Sequence, residues 1–324
     1  WKECFSGEDI DPRSYTNFAD CQSHFVDHMP HSTLAKIGLP LLAALVYSGI
    51  ALIFKRLSSS GIGPWRLTFS TNLGQAIALL PLWSLGHGTV SPELLWQPAA
   101  TALLFLLGQI ALFLAMDRGD VSVVTPLLGS KVIMVAALAS TFLNRPVPSG
   151  LWIAASLAAA ATALLGIGEP VDRKRLRSSL AWGTLAAFAF SLTDILYERW
   201  SANIDVWRFS VLVFVLMSIL SLPLIRNIEP LPASQSRAFV PTSAALSLVL
   251  GGQIVLVAYS IVEVCGATLT NILYSSRGLF SVTLVWMLGA RLGMTEAVAS
   301  KKLLLLRLIA SAIMLAAIIL GSAA

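Results

Sequence analysis

A succession of long apolar stretches is the feature of this sequence that most constrains its fold. A helix needs about 20 mostly apolar residues to cross a bilayer core, and hydropathy predicts ten such spans. They are too long for barrel strands and lack the alternating period of a barrel. The predicted spans are residues 34–54, 62–85, 93–116, 120–142, 148–168, 179–200, 206–226, 240–263, 267–290 and 300–321. The predicted fold class is an all-α integral membrane protein with ten transmembrane helices.

Composition agrees with this fold class and leaves little room for a separate soluble domain. The chain is 56% hydrophobic and 12% charged, whereas a soluble domain is about 45–50% apolar and about 25% charged. The net charge is +5, and most basic residues lie singly or in pairs at span ends. That distribution is typical of topology signals and lipid contact rather than of nucleic-acid binding. We therefore expect the lipid bilayer, and no nucleic acid, among the partners.

The predicted spans form two halves that repeat each other, residues 34–168 and 179–321, joined by a basic loop at 169–178. The offset between matched residues drifts slowly from 142 to 146. The matches are Tyr47-Ser48 with Phe190-Ser191, Trp65-Arg66 with Trp207-Arg208, Gly108-Gln109-Ile110 with Gly252-Gln253-Ile254, and Ser130-Lys131 with Ser276-Arg277. Each half has five spans, an odd number, so the second half must enter the membrane in the opposite direction. This is the inverted-repeat plan of secondary transporters.

Two cations lie near the middle of matched spans, Lys131 and Arg277. A charge at a helix centre costs about 2.5–3.5 kcal/mol on insertion scales. Each of the two cations therefore indicates a functional or structural role that offsets this cost. An inverted repeat places the two cations opposite one another near the midplane, where they would suit an anionic substrate. The alternatives are internal neutralisation by Asp194 or Glu263, or snorkelling to an interface.

Asp194 is the one carboxylate well inside a predicted span. It is a candidate coupling group, because a desolvated carboxylate can load and release a proton near neutral pH. Pairing with Lys131 or Arg277 is the favoured alternative.

Polar side chains in the same spans complete the candidate substrate site. The amides of Gln109 and Gln253 are matched between the halves, although most single amides at depth only hold neighbouring helices together. The candidate substrate-binding residues are Lys131, Arg277, Gln109, Gln253, Thr125, Asn271 and Tyr274.

The first 33 residues form a polar acidic tail that we expect to be disordered and dispensable, since it cannot bury enough apolar surface to offset its ordering entropy. A weak metal-site alternative is the C-x2-H-x3-H-x2-H spacing of Cys21, His24, His28 and His31. Otherwise the sequence predicts no metal and no cofactor. It also lacks the HExxH, GxSxG and phosphate-loop motifs of enzymes, which favours a protein that is not an enzyme.

The sequence resembles the drug/metabolite transporter superfamily, in its EamA-domain branch, over residues 34–321. The resemblance lies in the segment GQIALFLAMDRGDVSVVTPLLGSKVIMVAALASTFLNRPVPSGLWIAASLAAAATALLGIG of the first half and in the GQI and SSRG segments of the second. Where many members have a Gly-Glu pair, this chain has Asn144-Arg145-Pro146 and Ala290-Arg291-Leu292. No role for that acid can therefore be carried over.

The resemblance implies a multi-pass transporter of the inner or plasma membrane, a monomer or homodimer, that exports or exchanges a small organic metabolite. Related phosphate-ester exchangers use intramembrane Lys and Arg on the corresponding helices, which are Lys131 and Arg277 here. An anionic substrate, a carboxylate or a phosphate ester, is therefore favoured. The alternatives are an exporter of cationic or hydrophobic drugs, a receptor or assembly subunit that does not transport, and an enzyme acting on a lipid head group.

Two arguments predict opposite orientations for the termini. The family usually has both termini in the cytoplasm, whereas the positive-inside rule favours an external N-terminus. Twelve basic residues fall on the side opposite the N-terminus and four on its own side. The twelve are Lys55, Arg56, Arg118, Arg173, Lys174, Arg175, Arg177, Arg226, Arg237, Arg291, Lys301 and Lys302. The four are Lys36, Arg145, Arg199 and Arg208.

Overall fold

The structure is a computed structural model that describes residues 33–59, 62–87, 89–118, 124, 127–143, 146–165, 173–231, 236–288 and 301–323. Over these ranges the chain is helical and contains no strand. The acidic tail, with its weak metal candidates Cys21, His24, His28 and His31, lies outside the described residues, apart from Thr33 at the start of the first helix.

The helices follow the apolar stretches of the sequence. Their bounds are α1 Thr33–Ser59, α2 Pro64–Leu79, α3 Trp96–Arg118, α4 Lys131–Phe142, α5 Ser149–Leu165, α6 Arg173–Trp200, α7 Val206–Leu220, α8 Ser236–Tyr259, α9 Gly266–Tyr274, α10 Arg277–Leu288 and α11 Lys301–Ala323. Single 3-10 turns extend α2 over Leu80–Leu85 and follow α7 over Leu222–Asn227, and a π-helical segment over Ser260–Cys265 joins α8 to α9.

Within the described residues, three helical stretches are long and apolar enough to cross a membrane, Pro92–Met116, Leu176–Asn203 and Phe239–Tyr274. Shorter apolar helices accompany them, among them Ser149–Leu164 and Val206–Leu220. Large apolar side chains point away from the protein on several helices, such as Val240, which is 69% exposed. A water-soluble monomer seldom exposes so much apolar surface, so these outer faces are suited to lipid.

The predicted spans that hold the two cations are not continuous helices. The span predicted at 120–142 is interrupted at Ser130, so that α4 begins at Lys131, and the span predicted at 267–290 is interrupted at Ser275 and Ser276, so that α10 begins at Arg277. Serine side chains accompany both interruptions. Ser130 Oγ donates to Leu127 O at 2.6 Å, and Ser275 and Ser276 donate likewise to carbonyls three residues earlier. Such bonds compete with the regular helical ladder.

Helix α6 begins earlier than predicted. It starts at Arg173 and so takes in the last residues of the predicted loop 169–178. Arg and Lys are good helix formers, and a helix can continue past the apolar stretch where its end no longer needs to be apolar.

The two halves of the chain pack through matched pairs of helices. Helix α3 packs against α6 and α7, and α8, its counterpart in the second half, packs against α1 and α2. Helix α5 packs against α11, where Ala154, Ala158 and Ala161 are fully buried against Met314 and Ala317. Small side chains let helix backbones approach closely. The alanine-rich fifth and tenth apolar stretches therefore serve contact between the halves.

Candidate functional site

The centre of the candidate site is an ion pair between the two halves. Lys131, the first residue of α4, places Nζ 2.7 Å from Oδ2 of Asp194 on α6, and both side chains are only 13% exposed. Asn271 on α9 donates from Nδ2 to the same Oδ2 at 2.7 Å and also to the Ala267 carbonyl at 2.9 Å. The carboxylate of Asp194 is thus held by a cation of the first half and an amide of the second.

Arg277, the first residue of α10, has aromatic partners. Its guanidinium carbon lies 4.8 Å from the ring centroid of Tyr274 and 5.2 Å from that of Tyr47. The two rings meet edge to face at 5.9 Å, and Gln253 Nε2 donates to the Tyr274 hydroxyl at 3.1 Å. A cation over an aromatic face gains electrostatic stabilisation that grows when water is excluded.

These groups form one charged cluster, defined here as Lys131, Asp194 and Arg277. Asp194 interacts electrostatically with Arg277 as well as with Lys131, and the two cations repel each other. Two cations thus share one carboxylate, and the cluster carries one excess positive charge.

Backbone contacts tie each cation to the opposite half. Ser48 Oγ on α1 lies 2.8 Å from the Arg277 carbonyl, and Ser191 Oγ on α6 lies 3.3 Å from the Lys131 carbonyl. Ser48 and Ser191 are matched residues of the two halves, as are the two cations. The same kind of contact therefore occurs twice, with the halves exchanged.

Lys131 contacts a carboxylate and Arg277 contacts two phenol rings, because the residues at the matched positions around them differ between the halves. At the repeat offsets, Asp194 corresponds to Ala51, and the tyrosines beside Arg277, Tyr47 and Tyr274, correspond to Phe190 and Leu128. Arg277 therefore lacks a matched carboxylate, and Lys131 lacks the matched pair of phenol rings. Lys131 and Arg277 were both possible partners for Asp194, and the ion pair forms with Lys131.

The remaining predicted site residues divide into two groups. Gln253, Asn271 and Tyr274 contact members of the charged cluster or each other, as described above. Gln109 instead exchanges hydrogen bonds with Asn72, at 3.1 and 3.3 Å, and no described contact joins it to the cluster. Thr125 lies outside the described residues.

Three residues of the site were not predicted from the sequence as site residues: Tyr47, Ser48 and Ser191. The signal that could have found them is the match of Tyr47-Ser48 with Phe190-Ser191, which marks positions kept in both halves. Among the described residues, no group of three or more His, Cys, Asp or Glu side chains is placed to hold a metal ion.

The fold and the site together define a helical membrane protein in which both halves of the chain contribute to one buried charged cluster. Residues 35–167 match the family model of the EamA-like transporter family. That family is part of the drug/metabolite transporter superfamily, and the resemblance predicted from the sequence is confirmed over these residues.

A crystal structure of another protein has a similar fold, with a TM-score of 0.69 and 15% sequence identity. The similarity covers 90% of this chain and 99% of the other. At that identity it supports the fold alone. No curated protein sequence matches this chain.

Proposed function

We propose that this protein is a secondary active transporter that works by alternating access and exports or exchanges a small organic anion, a carboxylate or a phosphate ester. The observation that carries the proposal is the charged cluster. Lys131 comes from the first half and Arg277 from the second. Within the cluster, their two positive charges face the single negative charge of Asp194. An anionic group of a substrate would compensate the remaining positive charge.

The start of a helix at each cation supports the same proposal. Helices interrupted within the membrane form the substrate sites of many transporters, because half-helix N-termini favour anionic groups. Here Lys131 begins α4 and Arg277 begins α10. Both cations therefore lie at the start of a helix, directly after a turn.

The paired contacts support ten spans in two inverted repeats, which we retain as part of the proposal. Contacts between matched elements come in exchanged pairs, such as Ser48 with Arg277 and Ser191 with Lys131. When two units are related by a two-fold axis, each contact between them occurs twice with the roles of the units exchanged. Rocking of one half against the other would then expose the cluster to each side in turn.

We further propose residence in the inner or plasma membrane, a small-molecule substrate as the main partner, and a monomeric or homodimeric state. In this proposal Lys131, Arg277, Gln253, Asn271 and Tyr274 contact the substrate, with Thr125 and Gln109 as the first-half counterparts of Asn271 and Gln253. An exporter of cationic drugs would need a carboxylate for its substrate, and Asp194 is already bound by Lys131.

Uptake into sealed proteoliposomes tests the proposal. The purified protein is assayed with radiolabelled inorganic phosphate, glycerol phosphate, succinate and a quaternary ammonium cation. We expect uptake of at least one anion, and we expect Lys131→Ala and Arg277→Ala each to reduce it by roughly tenfold or more, the scale of one lost charged contact. Lys36→Ala is the matched control, because Lys36 is an exposed cation on α1.

Normal transport by both cluster variants would contradict the assignment of the site. Uptake of the quaternary ammonium alone would favour the cationic-drug alternative. A protein that moves none of the four compounds but is stabilised by one of them would favour a receptor.

A further inference from the structure

The ammonium group of Lys131 is compensated from within the protein, by the carboxylate of Asp194. We infer that Asp194 is an internal substitute for the substrate anion: it pairs with Lys131 in the empty transporter and yields Lys131 to the substrate. With Lys131 compensated in this way, the empty binding site can reorient from one side of the membrane to the other. Net transport is then possible as well as exchange. This inference rests on the proposed function and adds the mode of transport to it.

Distance and burial make the competition direct. Asp194 Oδ2 lies 2.7 Å from Lys131 Nζ, the contact distance of a charge-assisted hydrogen bond, and both side chains are 13% exposed. A substrate carboxylate or phosphate that reaches Lys131 must approach this carboxylate. Two anions at such short range repel strongly, especially where little water screens them. Asp194 and the substrate therefore compete for the same ammonium group.

The second cation depends less on this carboxylate. Arg277 lies over the rings of Tyr47 and Tyr274, at 5.2 and 4.8 Å, and these aromatic faces offset part of its desolvation. Within the described part of the chain, the contacts of the Lys131 ammonium include no ring. Asp194 is thus the group that compensates Lys131 when the site is closed and empty.

Asn271 keeps the carboxylate in place during the exchange of partners. It bonds Oδ2 of Asp194 at 2.7 Å and is itself anchored to the Ala267 carbonyl at 2.9 Å. When the substrate takes Lys131, Asp194 keeps this hydrogen bond and stays near the ammonium. The ion pair can therefore form again as soon as the substrate leaves.

The mode of transport follows from the charge of the closed empty site. With Asp194, that site carries one excess positive charge, and without it two cations are left uncompensated in a largely buried region. Closing over uncompensated ions is costly. A transporter that lacks Asp194 would close only when loaded, which restricts it to exchange.

Asp194→Asn tests the inference in proteoliposomes with radiolabelled inorganic phosphate and succinate. Exchange is measured with vesicles preloaded with the same unlabelled anion, and net uptake with vesicles that contain neither anion. For the variant we expect tighter binding by about tenfold and retained exchange, because a competing charge is gone, with net uptake reduced by about tenfold or more. Equal loss of both modes, or net uptake equal to that of the wild type, would overturn the inference.

The controls separate this inference from the proposed function. Asp205→Asn makes the same change outside the cluster and should leave both modes intact, and Asp194→Glu keeps the charge and should retain net uptake. If the wild type neither binds nor moves inorganic phosphate, glycerol phosphate or succinate, the proposed anion transport fails, and this inference fails with it. If the wild type moves them and Asp194→Asn does so in both modes, only this inference fails.

Stability gives a second measurement if Asp194→Asn is unstable when empty. A ligand that binds the folded state raises the melting temperature, so phosphate or succinate should stabilise the variant more than the wild type. An equal or smaller shift would overturn the inference. So would a variant that stays unfolded at saturating phosphate and succinate, because these anions would then be unable to replace the carboxylate.

Discussion

Ser48 and Ser191 hold corresponding places in the two halves: each hydroxyl reaches the backbone carbonyl of the cation contributed by the other half. Ser48 lies 2.8 Å from the carbonyl of Arg277, and Ser191 lies 3.3 Å from that of Lys131. Each serine also reaches a carbonyl of its own helix, Ala44 at 2.8 Å or Ala187 at 2.7 Å, so its one hydroxyl hydrogen is shared between two carbonyls. The backbone at each cation is thereby fixed relative to the opposite half.

We expect Ser48→Ala and Ser191→Ala each to lower the free energy of unfolding by about 0.5–1.5 kcal/mol, the usual net worth of one hydrogen bond. Thermal unfolding in detergent measures the change. Ser156→Ala is the matched control, since Ser156 bonds only its own helix, at Trp152, on an exposed face. Destabilisation by Ser156→Ala as large as by the other two would show that the contacts between halves contribute nothing.

Arg277→Lys separates the charge of the second cation from its shape. Lysine keeps the charge but lacks the flat guanidinium that lies over Tyr47 and Tyr274. We expect anion uptake between that of the wild type and that of Arg277→Ala, with weaker binding by about threefold to tenfold, the scale of a lost cation–π contact. Uptake identical to wild type would mean that charge alone matters at this position.

Gly266 joins the π-helical segment to α9 with φ 73° and ψ 167°. Only glycine adopts this region readily, and other residues pay about 1–3 kcal/mol there. We expect Gly266→Ala to destabilise the protein by that amount. Gly252→Ala is the matched control, because a Cβ there meets no atom within 4 Å and alanine is favoured in helices by about 0.5–1 kcal/mol. Similar melting temperatures for the two variants would contradict the prediction.

Asp205 is the N-cap of α7, with its carboxylate accepting from the backbone N–H groups of Trp207 at 2.8 Å and Arg208 at 3.4 Å. Loss of such a cap costs about 0.5–2 kcal/mol. We expect Asp205→Ala to lower the melting temperature and Asp205→Asn to preserve it. Asparagine keeps the acceptor oxygen and the size of the side chain at this position, where φ is 91°. Equal stability of the two variants would exclude a capping role.

The apolar stretches, the family resemblance over residues 35–167 and the charged residues within the apolar stretches could all be predicted from the sequence. These depend on properties of single residues and on short-range patterns, because crossing a bilayer requires only sufficient apolar length along the chain. Lys131, Arg277 and Asp194 were identifiable for the same reason: any charge within an apolar stretch stands out. The repeat also marked Ser48 and Ser191 before their contacts were known.

Which of these residues meet could be seen only once the helices were packed in three dimensions. The sequence offered Asp194 two cations, and the ion pair forms with Lys131 because α4 and α6 pack together. It matched Gln109 with Gln253, yet the first bonds Asn72 and the second Tyr274. Partner choice depends on distances of a few ångströms between helices that are far apart in sequence. Hydropathy and spacing along the chain do not contain those distances.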